Sequence, residues 1–171
     1  MMAILGQLLF GWLFADLLSG VVHWVEDRVL PEGIPFLDEQ IVQPNRLHHV
    51  EPMAFTNFGF VYRNGTTWAA AASIGLPLLL IFGPAIWLLT AILGGAVGSQ
   101  VHYWAHSPGS APKSVRTMQL TGFLQSPVGH GRHHRPPNDR AYCILTDWLN
   151  PWLDRWAVWA RLERLFRVQA A

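Results

Sequence analysis

The sequence predicts an all-α integral membrane protein, a helical bundle of three to four membrane-embedded helices with an amphipathic C-terminal interfacial helix. Three observations lead there. Apolar residues make up 51% of the chain and charged ones only 13%. Near-uncharged apolar runs of span length recur along it, and nine Trp beside nine Phe match the aromatic load of a membrane–water interface. The same figures exclude other classes. Disordered chains are poor in aromatics and rich in charge. A net charge of +1 without a lysine-rich run leaves no electrostatic footprint for nucleic acid. The single cysteine, Cys143, excludes an internal disulfide framework and any zinc site built on two or more thiolates. The length of 171 residues suits one domain, taken as 1–171.

The first apolar run extends from Ile4 to Trp24 and is broken only by Asp16. No basic stretch precedes it and no small-residue cleavage motif follows, so it reads as a retained span and not a signal peptide. The second run, Thr66 to Phe82, and the third, Pro84 to Tyr103, are separated by Gly83-Pro84. That dipeptide punctuates a turn and predicts an antiparallel hairpin of two spans. Pro77 is expected to kink the second, while Gly94, Gly95 and Gly98 give the third a surface that a neighbouring helix can approach closely.

Charge sets the orientation. Arg28, Arg46 and Arg63 fall between the first and second runs, and the other nine of the 12 basic residues follow the third. With three spans both segments share one face, which the positive-inside rule makes cytoplasmic, the inner membrane in a bacterium. The segment from Pro151 to Val168 alternates Trp152, Trp156, Trp159, Leu162 and Phe166 with four arginines, a helix suited to headgroup level or to a place on the protein's own core. Arg28 to Asn64, with four prolines, reads as an ordered loop with at most short helices.

All eight histidines lie at or beyond the ends of the first and third spans: His23, the doublet His48-His49, the pair His102 and His106, and His130, His133 and His134. Residues four apart share a helix face, so His102 and His106 can aim at one centre, and so can His130 and His134 if that stretch is helical. Imidazole suits zinc, copper, iron and nickel, and the count separates these. A catalytic zinc takes about three protein ligands, so eight histidines exceed one zinc. A bis-imidazole haem draws on facing helices inside the bilayer, not on doublets at one surface. Eight nitrogen donors match two octahedral metals with open positions, and oxygen activation at two irons is the chemistry such a centre serves.

Two carboxylates join them as candidate catalytic residues. Asp27 lies one turn beyond His23 and is expected to accept a histidine N–H, which fixes tautomer and ring orientation. Asp16 lies two turns deeper, and an intramembrane carboxylate is a functional candidate by default. Asp147 and Asp154 are weaker candidates. HExxH, GxSxG, GxGxxG and C-x-x-C-H are all absent, so no zincin, serine hydrolase, dinucleotide fold or covalent haem is indicated. Electrons must then come from a separate partner. A hydroxylase on the same metals, a zinc hydrolase and a non-enzymatic metal-binding protein remain as alternatives.

ADLLSGVVHWVED, HHVEP, QVHYWAHS and GHGRHH followed by YCILTDWLNPWLD together resemble the Kua/CarF lipid desaturase family, which includes plasmanylethanolamine desaturases. The resemblance runs from Gly11 to Leu162 and rests on the order and spacing of four motifs: one isolated His, HH, HxxxH and HxxHH. It implies an O2-dependent membrane desaturase with a di-iron centre held by His23, His48, His49, His102, His106, His130, His133 and His134, with the family's aspartate on Asp27. It further implies a phospholipid substrate drawn from the bilayer, such as a 1-O-alkyl lipid converted to its vinyl ether. An electron donor of ferredoxin or cytochrome b5 type belongs to the same expectation. The few short spans leave little room for an internal tunnel, and Trp24, Tyr103 and Trp104 are expected to line the substrate's way in or to anchor the interface.

Overall fold

A computed structural model describes residues 2–167. Among the described residues the architecture is all-helical, with no strand. The long helices are α1 (Met2–Arg28), α4 (Phe60–Phe82) and α5 (Ile86–His106). Two of them, α1 and α4, are long and apolar enough to cross a membrane. Their outward faces carry bare apolar side chains, including Leu5, Phe10, Leu76 and Leu80, the last 88% exposed. An apolar surface of that extent needs another apolar phase to cover it. Helix α4 begins six residues earlier than its apolar run predicted and continues unbroken through Pro77.

The hairpin forms as expected. Gly83 ends α4 with φ +70°, a left-handed value that glycine adopts without strain, and Pro84 follows it. Helix α5 is the central element, with α1 and α4 both lying against it. Close approach depends on missing side chains. A Cβ on Gly94 would sit 2.7 Å from Ala15 Cβ, and one on Gly11 would run into the Trp87 carbonyl of α5.

The segment between α1 and α4 is ordered and carries only short helices, as expected. One turn, α2 (Pro35–Leu37), runs into a π-helical turn at Asp38–Val42 and then into α3 (Gln43–Val50), followed by a 3-10 turn at Ala54–Asn57. After α5 come α6 (Lys113–Leu120) and α7 (Pro127–His130), the latter capped by Ser126, whose hydroxyl accepts from Gly129 N–H.

Residues 139–147 run as an irregular strap across α1, turned at Ala141 by a left-handed φ of 55°. Asp16, fully buried, accepts from Leu145 N–H and Thr146 N–H at 3.0 Å each and from the Thr146 hydroxyl at 2.5 Å. Ser19 Oγ accepts from Ile144 N–H at 3.1 Å. Asn150 and Gln125 close the other side, both donating to Cys143 O.

The C-terminal segment departs from the single helix expected over Pro151 to Val168. It breaks into α8 (Asn150–Arg155) and α9 (Val158–Phe166), because Ala157 takes a left-handed conformation between them. Val168 lies outside the described residues. Trp159 is buried against Trp24 and Tyr142, so this face covers the protein's own core, while Trp152 and Trp156 stay exposed.

Candidate metal centre

The C-terminal ends of α1 and α5 meet α3 and α7, and this junction gathers all eight histidines into two adjacent donor groups. One group comprises His48, His102, His106, His130 and His134; the other comprises His23, Asp27, His49 and His133. Within each, one donor atom per residue lies within 4.8 Å of all the others.

The partition follows from local geometry. Residues four apart on a helix share a face, so His102 and His106 enter the first group together and His23 enters the second with Asp27. Adjacent residues point apart, so each doublet divides. His48 and His134 face the first group, His49 and His133 the second. Helix α7 ends at His130, and a turn rather than a continued helix carries His133 and His134. That turn still brings His134 Nε2 within 3.0 Å of His130 Nε2.

In the five-histidine group, Nε2 atoms run in a chain. His106 lies 3.2 Å from His102, His102 2.9 Å from His130, and His130 3.0 Å from His134. A neutral imidazole carries one N–H, so a run of ring nitrogens this close cannot all be satisfied by donating to one another. Both nitrogens of His48, and Nδ1 of His130 and His134, are buried without a hydrogen-bond partner. Burial, with neighbouring imidazole charge second, holds His48 and His130 well below the usual imidazole range and pushes His134 down to about 3. These rings are neutral, and a shared cation is what their lone pairs fit. With metal–nitrogen bonds of about 2.1 Å, donors sit about 3.0 Å apart at right angles and about 3.4 Å apart at the tetrahedral angle. The observed spacings of 2.9, 3.0 and 3.2 Å lie nearer the first.

The second group is built around a carboxylate. Asp27 Oδ2 stands 3.0 Å from His49 Nε2, 3.2 Å from His133 Nε2 and 3.5 Å from His23 Nε2. Asp27 was expected to support a ligand by accepting its N–H. Its Oδ2 lies within hydrogen-bond reach of His49 Nε2 and also stands among the donor atoms of this group, because residue 27 is one turn beyond His23 on the same face. Backbone carbonyls of the strap do the supporting. His23 Nδ1 lies 3.0 Å from Tyr142 O, and His133 Nδ1 lies 2.8 Å from Arg140 O. A carbonyl only accepts, so both Nδ1 atoms carry the proton and both Nε2 lone pairs point inward. No side-chain motif marks a carbonyl donor, and the sequence carries no signal for these two.

Asp16 belongs to neither group; its oxygens hold the strap at Leu145 and Thr146. Asp147 Oδ2 accepts from Ser126 N–H and Asp154 Oδ1 from Ala141 N–H, so both acids also serve the framework.

The expectation of little internal room is overturned. A cavity of ≈ 230 Å³ lies between α1, α4 and α5. It touches His23, His48 and His102 at one end and Leu78 and Leu88 at the other. Small residues on α4 and α5, among them Ala70, Gly75 and Ala91, leave this space open. Trp24, Tyr103 and Trp104 do not line it: Trp24 is buried beneath Trp159, and Trp104 lies against the core around Val101.

The model of the family described as the lipid desaturase domain matches residues 12–171. This chain belongs to the lipid desaturase family. It is 29% identical to a probable fatty acid desaturase of Acanthamoeba polyphaga mimivirus over 92% of this chain and 79% of that protein. It is 32% identical to a plasmanylethanolamine desaturase of Myxococcus xanthus, over 95% of this chain and 60% of that protein. For a plasmanylethanolamine desaturase of Mus musculus the identity is 29%, covering 92% of this chain and 62% of that protein. The chain therefore spans about three fifths of the two plasmanylethanolamine desaturases. No solved structure matches it significantly.

Proposed function

We infer that this lipid desaturase family member uses O2 and two irons to introduce a double bond into a lipid chain. Its substrate class is a 1-O-alkyl phospholipid that becomes the 1-O-alk-1'-enyl lipid. The observation that carries this reading is an apolar cavity ending on two adjacent donor groups rich in imidazole. Five donors in one group exceed the four of a tetrahedral zinc site, and imidazole suits iron. The relatives named as plasmanylethanolamine desaturases favour the alkyl lipid among possible substrates.

When bound, the irons supply the oxidising power that removes hydrogen from an unactivated C–H bond. The chain's own residues do the rest. Arg140 O and Tyr142 O keep the protons of His133 and His23 on Nδ1, and Asp27 brings a negative charge among three imidazoles. Phe55 stacks on His102 with ring centroids 4.9 Å apart and screens that face from water. The apolar cavity walls, Phe14 and Leu78 among them, receive an alkyl chain beside the donors. In this reading α5 is a third span beside α1 and α4, and the arginine-bearing segments make the donor face cytoplasmic, in a bacterium the inner-membrane side. A one-electron protein donor of ferredoxin or cytochrome b5 type completes the cycle.

The test is the metal content of detergent-purified protein from a host replete in iron and zinc, together with the host's ether lipids under air. About two irons per chain, with vinyl-ether lipid appearing only in oxygen, is the expected result. About one zinc without iron refutes it and favours a hydrolase.

A further inference from the structure

Arg63, in the first turn of α4, lines the polar end of the cavity together with His48 and His102. Its guanidinium carbon stands 3.5 Å over the centre of the Tyr103 ring. Its carbonyl accepts from Ser99 Oγ at 2.7 Å, which ties its backbone to α5. Stacking on an aromatic face satisfies the plane of the guanidinium and leaves its in-plane N–H fork free. Nε and Nη1 are buried there without any hydrogen-bond partner. The one acid lining the cavity, Glu26, accepts from Asn45 Nδ2 and forms no ion pair with Arg63 among the described residues. A cation fixed in place, with two of its nitrogens withdrawn from water and no anion beside it, is costly unless a ligand supplies the negative charge. In-plane guanidinium N–H donors, charged and fixed in direction, suit the oxygens of a phosphate.

We propose that Arg63 binds the phosphate of the lipid substrate and so selects phospholipids over phosphate-free lipids of the same chain. This rests on the desaturase reading for the identity of the chain in the cavity. The placement suits that chemistry. Tyr103 under Arg63 neighbours Phe55, which in turn stacks on His102, so a phosphate at Arg63 leaves the first chain carbons of a glycerophospholipid beside the donor groups. The rest of the chain then follows the apolar arm toward Leu78 and Leu88.

Binding is measured without turnover, on metal-loaded protein in detergent, by tryptophan fluorescence titration. The probes are a 1-O-alkyl lysophospholipid, the 1-O-alkylglycerol of the same chain, and inorganic phosphate. Wild type is expected to bind the lysophospholipid at least about tenfold more tightly, the range of a hydrogen bond to a charged group. R63Q abolishes that ratio by weakening the lysophospholipid alone, while R63K keeps the charge, loses the planar N–H donors and falls between. Inorganic phosphate alone competes only weakly. A ratio unchanged in R63Q overturns the proposal, and so does full competition by inorganic phosphate, which would mark a free-anion site. Should R63Q not accumulate, the wild-type ratio decides: equal affinity for the two lipids overturns it. Absence of lipid product or of iron in the wild type refutes the desaturase reading, whereas a flat ratio in an enzyme that desaturates refutes only the role of Arg63.

Discussion

Asp16→Ala isolates the link between the strap and the metal centre. The wild-type carboxylate is fully buried and accepts three hydrogen bonds, from Leu145 N–H, Thr146 N–H and the Thr146 hydroxyl. Alanine leaves two backbone N–H groups buried without a partner, and each such group costs about 1–3 kcal/mol. The hydroxyl can turn elsewhere, and removing a buried charge returns part of the loss. The net expectation is about 3–5 kcal/mol of destabilisation, the range found when one side of a buried charged contact is removed. Asp16→Asn retains one acceptor oxygen for both N–H groups and should cost only about 1 kcal/mol. The metal content separates this from a general loss of stability. The strap carries the Tyr142 and Arg140 carbonyls that orient His23 and His133, whereas the five-histidine group takes no carbonyl support from it. Denaturant unfolding in detergent and elemental analysis should therefore show D16A melting early, with metal falling first from the His23 group. If D16A keeps wild-type stability and both metals, the reasoning is refuted.

Other consequences are open to test. His49→Ala, in the four-donor group, should lower bound metal by about one ion per chain, by analogy with the loss of a zinc ligand, and His106→Ala should do the same for the other group; unchanged elemental analysis in either would separate that residue from the metal. Acidification should release metal. His48, His130 and His134 are neutral when folded, with pKa values lowered from their unfolded range near 6.5, so the unfolded state binds more protons, is favoured as pH falls below about 6.5, and gives up the metal as the fold is lost. A metal-retention curve flat from neutral pH to pH 4 would contradict this. Gly20→Ala puts a Cβ 2.6 Å from Cys143 Sγ and 3.1 Å from Cys143 N, so the strap must shift at a cost of about 1–3 kcal/mol, read as a lowered melting temperature. Ala70→Trp should fill the cavity midway and abolish lipid product while both metals remain; normal product would mean that the chain lies elsewhere.

The helices were legible because their signals are local. Apolar runs marked the cores of α1, α4 and α5, Gly83-Pro84 marked the turn, and Gly94 marked a close approach that the structure makes against Ala15. Boundaries were less legible: α4 extends through Arg63 and Asn64, polar residues that face the cavity and the core instead of lipid. The break at Ala157 had no local warning, since a left-handed alanine follows from packing Trp159 into the core around Trp24 and Tyr142.

The same division runs through the site. Residue types and spacings of three or four marked the histidines as donors, because a helix turn is a property of short sequence. Which donor group each histidine faces was decided only in three dimensions, where α3, α5 and α7 converge and the doublets divide. The contacts of Asp27 with three imidazoles and of Asp16 with the strap were likewise decided there, since a carboxylate's role depends on which distant N–H groups and imidazoles reach it. The Tyr142 and Arg140 carbonyls and the unpaired N–H donors of Arg63 lay beyond sequence for one physical reason. Every residue has a carbonyl, and any arginine can find a partner, so their function exists only once the tertiary fold decides what stands opposite.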